Sequence, residues 1–148
     1  MMRDDVQIMA DVLRVLLRAF TIDEGRFPAA EGQARYNGPD FQTVHFIAGH
    51  PGCSGLDLAA FLGVAPTTAQ SVIDRLVRRD LVSRERSAED RRAVSLALTG
   101  TGEALRTAIL RQDMANCRRM LGCLPPRKRS AFVEQLEQIA QGIGEAQR

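Results

Sequence analysis

The sequence predicts a mainly α-helical protein that carries one small β-hairpin. Apolar residues recur at the spacing of an amphipathic helix near both ends of the chain. Between these regions, residues 54–79 have the pattern of two short helices joined by a tight turn. Two short segments of strand type follow at once, separated by a charged tip at residues 87–92.

The first element is an amphipathic helix of several turns. Its apolar stripe consists of Val6, Met9, Leu13, Leu16 and Phe20. From residue 21 to residue 40 the pattern stops, because glycines, prolines and the run Asn37-Gly38-Pro39 interrupt it. We expect irregular structure there, then a second helix from about residue 40 to residue 48, and a loop at residues 49–52.

Residues 54–79 carry the signals of a helix-turn-helix. Ser54 and Asp57 fit a capping box, in which a hydroxyl and a carboxylate each accept a hydrogen bond from an unpaired backbone N–H. Gly63 permits the turn, and the fixed φ of Pro66 suits the start of the next helix, which runs to about Arg79. The predicted inward face of that helix is Ala69, Val72, Ile73 and Leu76. Its predicted outward face is Thr67, Thr68, Gln70, Ser71, Asp74, Arg75 and Arg78.

The hairpin leads into two further helices. Residues 82–86 and 93–99 have the composition of paired strands, and the second strand is apolar on one face only. Thr99 or Thr101 is expected to cap a long helix, which ends at Pro125-Pro126, where the last helix starts. The apolar stripe of the last helix is Phe132, Leu136, Ile139 and Ile143.

Composition limits the class of protein. The 148 residues are 45% hydrophobic and 26% charged, as in an ordinary soluble domain, and the formal net charge is +2. Any attraction to nucleic acid must therefore come from how the charges are distributed. The start of the sequence turns acidic at Asp4-Asp5, so we expect no signal peptide there, and no segment has the roughly 18 apolar residues of a membrane span. We expect a cytoplasmic protein with no membrane partner, and the three cysteines form no disulfide framework.

A helix-turn-helix followed by a charged hairpin predicts a DNA-binding protein. The second helix suits the major groove, and the hairpin tip suits the backbone or the minor groove beside it. The sequence shows no Gly-rich phosphate loop, no nucleophile elbow and no metal-ligating His pair on a helix. We therefore expect neither an enzyme nor a bound cofactor or metal.

The middle of the chain closely resembles the MarR family of bacterial transcription regulators. The resemblance is carried by residues 58–64, 67–82, 89–92 and 98–102, which match the family in order and spacing. The most specific part is the tip Asp90-Arg91-Arg92, followed by an alternating strand and a Leu-Thr-x-x-Gly step. The resemblance departs from the family pattern at Asp80, where Gly is usual, at Ala65, where a Ser or Thr cap is common, and at Gln70-Ser71.

The resemblance implies a winged helix-turn-helix lobe and an obligate homodimer, whose first and last helices interlace into a dimerisation platform. We predict a single domain, 1–148, with 40–99 as the DNA-binding lobe and with 1–39 and 100–148 as the helical dimerisation region. The residue pattern agrees, because a short central lobe cannot cover every apolar stripe, and the remaining stripes are most simply buried against a second copy.

Candidate DNA contacts lie on the second helix of the helix-turn-helix and on the wing. From the helix we expect Thr67, Thr68, Gln70, Ser71 and Arg75, since Gln can read adenine and hydroxyls can contact bases or phosphates. From the wing we expect Arg86 on a phosphate and Arg91 or Arg92 in the minor groove, with Asp90 anchoring the other arginine by resemblance. The simpler interpretation is a solvated surface, and Asp74, Glu85 or Asp90 could hold Arg75 in an ion pair.

The predicted function is that of a sequence-specific regulator of transcription, in this family most often a repressor. Two copies would bind a pseudo-palindromic operator whose half-sites lie about one helical turn apart. By resemblance, a small, often aromatic or phenolic effector would bind between lobe and platform and weaken DNA binding. Candidate lining residues are Arg14, Phe20, Tyr36 and His45.

Two alternatives stay open. One is a thiol- or metal-responsive regulator that senses through Cys53 and the nearby His45 and His50, although their spacing matches no standard zinc pattern. The other is a winged-helix module that binds a protein partner and no DNA.

Overall fold

The structure, a computed structural model, describes residues 4–19, 36–86 and 94–146. Its elements confirm the mainly helical fold with one hairpin that the sequence predicts. In chain order they are α1 (Asp5–Ala19), α2 (Gly38–Gly49), α3 (Gly55–Leu62), α4 (Pro66–Arg78), β1 (Val82–Arg86), β2 (Val94–Leu98), α5 (Gly100–Gly122) and α6 (Pro126–Ala146). Residues 1–112 and 113–148 form two compact units, and the boundary between them falls within α5.

Three helices and the hairpin share one aliphatic core. Helices α2, α3 and α4 pack against one another, and α2, α3 and α4 each contact a strand of the hairpin. The largest fully buried apolar side chains are Val44, Ile47, Leu58, Ile73, Leu76, Leu81, Val82 and Leu96. The predicted inward face of α4 is confirmed, since Ala69, Val72, Ile73 and Leu76 are all buried. This packing fixes which face of α4 points outward.

Helix α2 begins earlier than the sequence predicted. Asn37 caps it: its side chain accepts from the Asp40 backbone N–H at 3.0 Å, and Asp40 Oδ2 accepts from the Asn37 N–H at 2.9 Å. Pro39 lies in the first turn, where a missing N–H costs no helical hydrogen bond. The assignment of Asn37-Gly38-Pro39 to irregular structure was therefore wrong, because these residues start a helix.

The predicted turn chemistry of the helix-turn-helix is confirmed. Ser54 N–H donates to Asp57 Oδ2 at 2.8 Å, and Asp57 N–H donates to Ser54 Oγ at 3.1 Å, which completes the capping box. Gly63 adopts a left-handed conformation with φ of 66° at the end of α3. Asp80, which follows α4, is also left-handed, with φ of 57°. A non-glycine residue is uncommon there, but Asp is among those that tolerate it best.

The hairpin is antiparallel and gains a third strand-like segment. Val82 pairs with Leu98 and Arg86 with Val94, as the sequence predicted for the two strands. On the other edge of β2, Gly52 N–H donates to Leu96 O at 3.1 Å, and Leu96 N–H donates to Cys53 O at 2.8 Å. The predicted loop before α3 therefore ends in residues that pair with the wing sheet.

The start of α5 packs tightly against the turn after α4. Thr99 is the cap, because its Oγ1 accepts from the Gly102 N–H at 3.0 Å. A Cβ atom added at Gly102 would lie 2.1 Å from the Leu81 carbonyl oxygen, far inside van der Waals contact. Only glycine lets the helix backbone approach Leu81 this closely.

Helices α1 and α6 leave large apolar side chains exposed. No residue of α1 is buried, and Val6 is 70% exposed. The exposed large apolar residues of α1 are Val6, Ile8, Met9, Val12, Leu13, Val15 and Leu17, and those of α6 are Val133, Leu136, Ile139 and Ile143. Among the described residues, no single helix is long and apolar enough to cross a membrane.

We predict that Gly102→Ala lowers the free energy of unfolding by about 1–3 kcal/mol, because the added methyl must push α5 away from Leu81. The measurement is chemical denaturation of both proteins. Gly100→Ala is the matched control, since a Cβ atom at Gly100 in the same helix meets nothing within 4 Å. Equal stability of the Gly102→Ala variant and the unmodified protein would contradict the close approach.

Candidate nucleic-acid interface

The outward face of α4 is a continuous polar surface. Thr67, Thr68, Gln70 and Ser71 are all exposed, as predicted. Ser71 Oγ donates to Thr67 O at 3.1 Å, and Gln70 Nε2 donates to Asp74 Oδ1 at 3.1 Å. These are bonds between neighbours on one helix face, and a side chain can exchange them for a bond to a base or a phosphate when DNA approaches.

The first turn of α4 has no side-chain cap. Ala65 occupies the capping position, has extended backbone angles and makes no side-chain cap bond. A helix start without an acceptor carries a partial positive charge and unpaired amides, which favour a bound anion. Thr67 and Thr68 lie in this turn, so hydroxyls and amides are presented together.

Arg75 contacts an acid that was not among the partners predicted from the sequence. Its Nε donates to Asp40 Oδ1 at 3.0 Å, and a second guanidinium nitrogen forms an ion pair with the same oxygen. The Arg75 side chain is 28% exposed and that of Asp40 is 1% exposed. The acids considered from the sequence were Asp74, Glu85 and Asp90, all close to Arg75 in the chain or on the wing. Asp40 is 35 residues away from Arg75 in the chain. Only its position in the first turn of α2 could have indicated from the sequence that it has a structural role.

A second ion pair links α4 to the wing. Arg84 of β1 pairs with Asp74 of α4, which also accepts from Gln70. The hydrogen bond from Arg84 is the largest cause that lowers the pKa of Asp74 below its usual value. The acid therefore keeps its charge, and this pair connects the hairpin to the outward face of α4.

The wing residues are described only in part. Arg86 is exposed at the end of β1, where the two strands approach the tip. Asp90, Arg91 and Arg92 lie outside the described residues, so their predicted roles stay predictions. Of the residues predicted to contact DNA from the wing, the structure therefore describes Arg86.

The predicted effector residues that the structure describes are Arg14, Tyr36 and His45. Arg14 of α1 pairs with Asp11 at 2.7 Å and lines a cleft of about 370 Å³ with Gln7, Ala10 and Asp11. Tyr36 precedes α2, where its ring contacts Phe41 and lies under the Arg79 guanidinium at 4.7 Å. His45 is exposed on α2, and Phe20 lies outside the described residues. The predicted lining of an effector pocket by these residues stays a prediction.

A larger cleft, of about 580 Å³, is lined by residues of α2, of α3 and of the loop between them. It was not predicted from the sequence. Phe46 stacks on His50 with centroids 4.3 Å apart and on Phe61 with centroids 4.5 Å apart. Phe61 is 50% exposed, and Asp57 also lines the cleft. The spacing of four residues between Phe46 and His50 is that of neighbours on one helix face, and it could have predicted their stacking from the sequence.

Comparison with known proteins shows which family part of the chain resembles. The sequence model described as MarR family matches residues 36–93, which span α2, the helix-turn-helix and β1. The HTH-type transcriptional regulator YfiV of Bacillus subtilis (strain 168) is 24% identical over 110 residues, covering 74% of this chain and 69% of that protein. Over residues 36–93 the chain is therefore similar to the MarR family.

Solved structures agree with this fold. Streptococcus pneumoniae FabT, in a complex with DNA, aligns with a TM-score of 0.79 at 19% identity, covering 97% of this chain and 99% of that chain. Staphylococcus aureus MepR, a transcription regulator of the multidrug efflux pump MepA, gives 0.76 at 15% identity, with 95% and 99% covered. Bordetella bronchiseptica BpsR gives 0.64 at 23% identity, with 95% and 98% covered. These structures share the fold of this chain, and the similar protein YfiV is described as a transcriptional regulator.

The environment of Cys53 bears on the thiol-responsive alternative. Cys53 is 8% exposed, and burial, followed by the nearby Asp57 charge, raises the pKa of its thiol above the ordinary value. A thiol reacts with oxidants as the thiolate, so both factors suppress its reactivity. In the described part of the chain no group of three or more His, Cys, Asp or Glu residues could hold a metal ion.

We predict that Cys53 of the folded protein is alkylated by iodoacetamide far more slowly than in denaturant, because its thiol is buried and protonated. The measurement is mass spectrometry of the peptide that contains Cys53 over a time course at neutral pH. Ser54→Ala is a useful comparison, since loss of the capping box should loosen the adjoining loop and speed alkylation. Rapid alkylation of native Cys53 would contradict the buried environment and favour thiol sensing.

Proposed function

We propose that this protein is a transcription regulator of the MarR family. In this proposal it binds a pseudo-palindromic operator as a homodimer and represses transcription until a small-molecule effector releases it. In this proposal, α4 is the recognition helix and enters the major groove, while the hairpin wing contacts the adjacent backbone or minor groove. Thr67, Thr68, Gln70 and Ser71 are the helix contacts, Arg86 is a phosphate contact, and the tip residues Asp90, Arg91 and Arg92 keep their predicted roles.

The observation that carries the proposal is the polar outward face of α4 on a firmly packed helix. Four apolar side chains anchor the opposite face in the core, so the orientation of Gln70 and Ser71 is fixed by packing. A helix held in this way presents its polar side chains at defined positions, which base recognition needs. The FabT complex with DNA supports the same use of this fold.

Phosphate binding is supported by charge as well as by shape. The uncapped start of α4 is a natural partner for a phosphate, and Arg78 and Arg86 are exposed on the helix and the wing. Arg75 and Arg84, by contrast, each form an ion pair with an aspartate. The total charge of +2 is thus compatible with a local basic surface.

Homodimer formation is supported by the uncovered apolar faces of α1 and α6. An exposed stripe from Val6 to Leu17 is unusual for a monomeric protein, whose exposed apolar patches are small. A second copy would bury it, with residues 1–39 and 100–148 as the dimerisation region. The same assignment makes residues 40–99 the DNA-binding lobe.

Effector release is supported by a relative. DNA binding by BpsR is regulated by 6-hydroxynicotinic acid, an aromatic molecule of the predicted class. For this chain, Arg14, Phe20, Tyr36 and His45 are proposed to line the effector site. The thiol-responsive alternative is weakened by the burial of Cys53.

We expect saturable binding of the protein to duplex DNA taken from beside its own gene, well above binding to a scrambled duplex. Affinity should fall by roughly 10³ to 10⁵ between 50 and 200 mM salt if about 6–10 phosphates are contacted. Gln70→Ala should weaken operator binding by about 1–3 kcal/mol if Gln70 reads a base. Fluorescence anisotropy measures the preference for the native duplex, the salt dependence of affinity and the effect of Gln70→Ala.

Gln42→Ala is the control, because Gln42 is an exposed glutamine on α2 and lies outside the proposed interface. It should leave operator affinity unchanged. If no duplex from a random-sequence selection is bound even at low salt, the DNA-binding proposal is wrong, and the protein-interaction module takes its place.

We also expect that Val12→Asp combined with Leu13→Asp converts the dimer to a monomer, because charges on the apolar face of α1 would have to be desolvated. Sedimentation velocity should report half the mass of the unmodified protein. Gln7→Asp places a charge on the same helix without removing an apolar side chain and should stay dimeric. A monomeric unmodified protein, or a double variant that remains dimeric, would contradict the proposed interface.

A further inference from the structure

Two arginines at the end of α4 contact the short segment that begins α2: Arg75 lies in the last turn, and Arg79 is the C-cap residue that follows the helix. Arg75 forms its ion pair with Asp40, and Arg79, four residues later, places its guanidinium over the ring of Tyr36. Residues four apart on a helix are neighbours on the same face. We call these four residues, Tyr36, Asp40, Arg75 and Arg79, the clamp.

Asp40 performs two tasks with one carboxylate. Oδ2 accepts from the Asn37 N–H and completes the capping box of α2, while Oδ1 accepts from Arg75. A carboxylate this deeply buried is costly unless its charge is paired. The start of α2 and the last turn of α4 are therefore held to one another through a single side chain.

The clamp bears on the assignment of Arg75 as a DNA contact. Its guanidinium already holds Asp40, and leaving for a phosphate would abandon a buried negative charge. The geometry points to a different task. We propose that Asp40 and Tyr36 position the recognition helix through Arg75 and Arg79, and that Arg75 is a positioning residue rather than a DNA contact. This inference rests on the proposed DNA-binding function.

Direct contact and positioning predict opposite results. If Arg75 bound a phosphate, Asp40→Asn would release it and leave operator affinity equal or higher, and Arg75→Gln would lower the salt slope by about 1. If Arg75 positions α4, Asp40→Asn and Arg75→Gln both weaken operator binding. The two losses then overlap in the double variant, because both changes remove one interaction.

The test is a titration of the unmodified protein, both single variants and the double variant against operator and scrambled duplex over a salt series. We expect operator binding about tenfold weaker in each of the three variants, without additivity, and an unchanged salt slope. Arg78→Gln is the matched control, since it removes a positive charge from the exposed face of the same helix. It should weaken operator and scrambled duplex alike. An Arg75→Gln variant that behaves as Arg78→Gln does would overturn the proposal, as would an Asp40→Asn variant with unchanged affinity.

Tyr36 supplies a conservative comparison. Tyr36→Phe keeps the ring under Arg79 and should retain operator affinity, whereas Tyr36→Leu should lose it. Equal affinity of the two variants would remove Tyr36 and Arg79 from the proposal. All titrations are run well below the unfolding midpoint of each variant, so that loss of folded protein is not measured as loss of affinity.

Hydrogen exchange of the DNA-free proteins separates this inference from the proposed function. Amides of α4 and of the first turn of α2 should exchange faster in Asp40→Asn and in Arg75→Gln than in the unmodified protein. In the double variant they should exchange no faster than in either single variant. Unchanged exchange in both single variants overturns the clamp whatever the DNA data show. If the unmodified protein binds no duplex while exchange responds as expected, the proposed function fails and the clamp stands.

Discussion

The structure depends most on the burial of one face of α4. Ala69, Val72, Ile73 and Leu76 occupy the core that α2, α3 and the hairpin share, and each contributes apolar area removed from water. Because these side chains lie at helical spacing, burying them determines the direction of every other side chain on α4. The polar face that we assign to DNA is thus a direct consequence of packing, and no separate device is needed to orient Gln70 or Ser71.

Polar contacts then adjust the position that packing defines. Asp40 connects α4 to the start of α2, and Asp74 connects it to β1 through Arg84. At the end of α4, Asp80 takes a left-handed conformation and its carboxylate accepts from Thr101 Oγ1 at 3.3 Å, which links this turn to α5. The close approach of Gly102 to Leu81 reinforces the same junction. Contacts with α2, with β1 and with the start of α5 therefore hold α4 and the turn that follows it in position.

Local features could be predicted from the sequence, and long-range contacts could not. The capping box at Ser54, the turn at Gly63 and the inward stripe of α4 each depend on residues a few positions apart, and all three are confirmed. The start of α2 was misplaced because Asn-Gly-Pro is also a turn signal, and only the side chain of Asp40 decides between turn and cap. Asp40 with Arg75 and Cys53 with Leu96 join residues far apart in the chain. Periodicity carries no information about such pairs.

The most direct test of the account is methylation-interference footprinting of the protein on a DNA fragment that contains its operator. Methyl groups at guanine N7 lie in the major groove and block a helix that enters there. The account predicts two patches of interference related by a two-fold axis, with centres about 10–10.5 base pairs apart or a multiple of that spacing. A single patch, or binding that major-groove methylation leaves unaffected, would contradict the insertion of two α4 helices into successive major grooves.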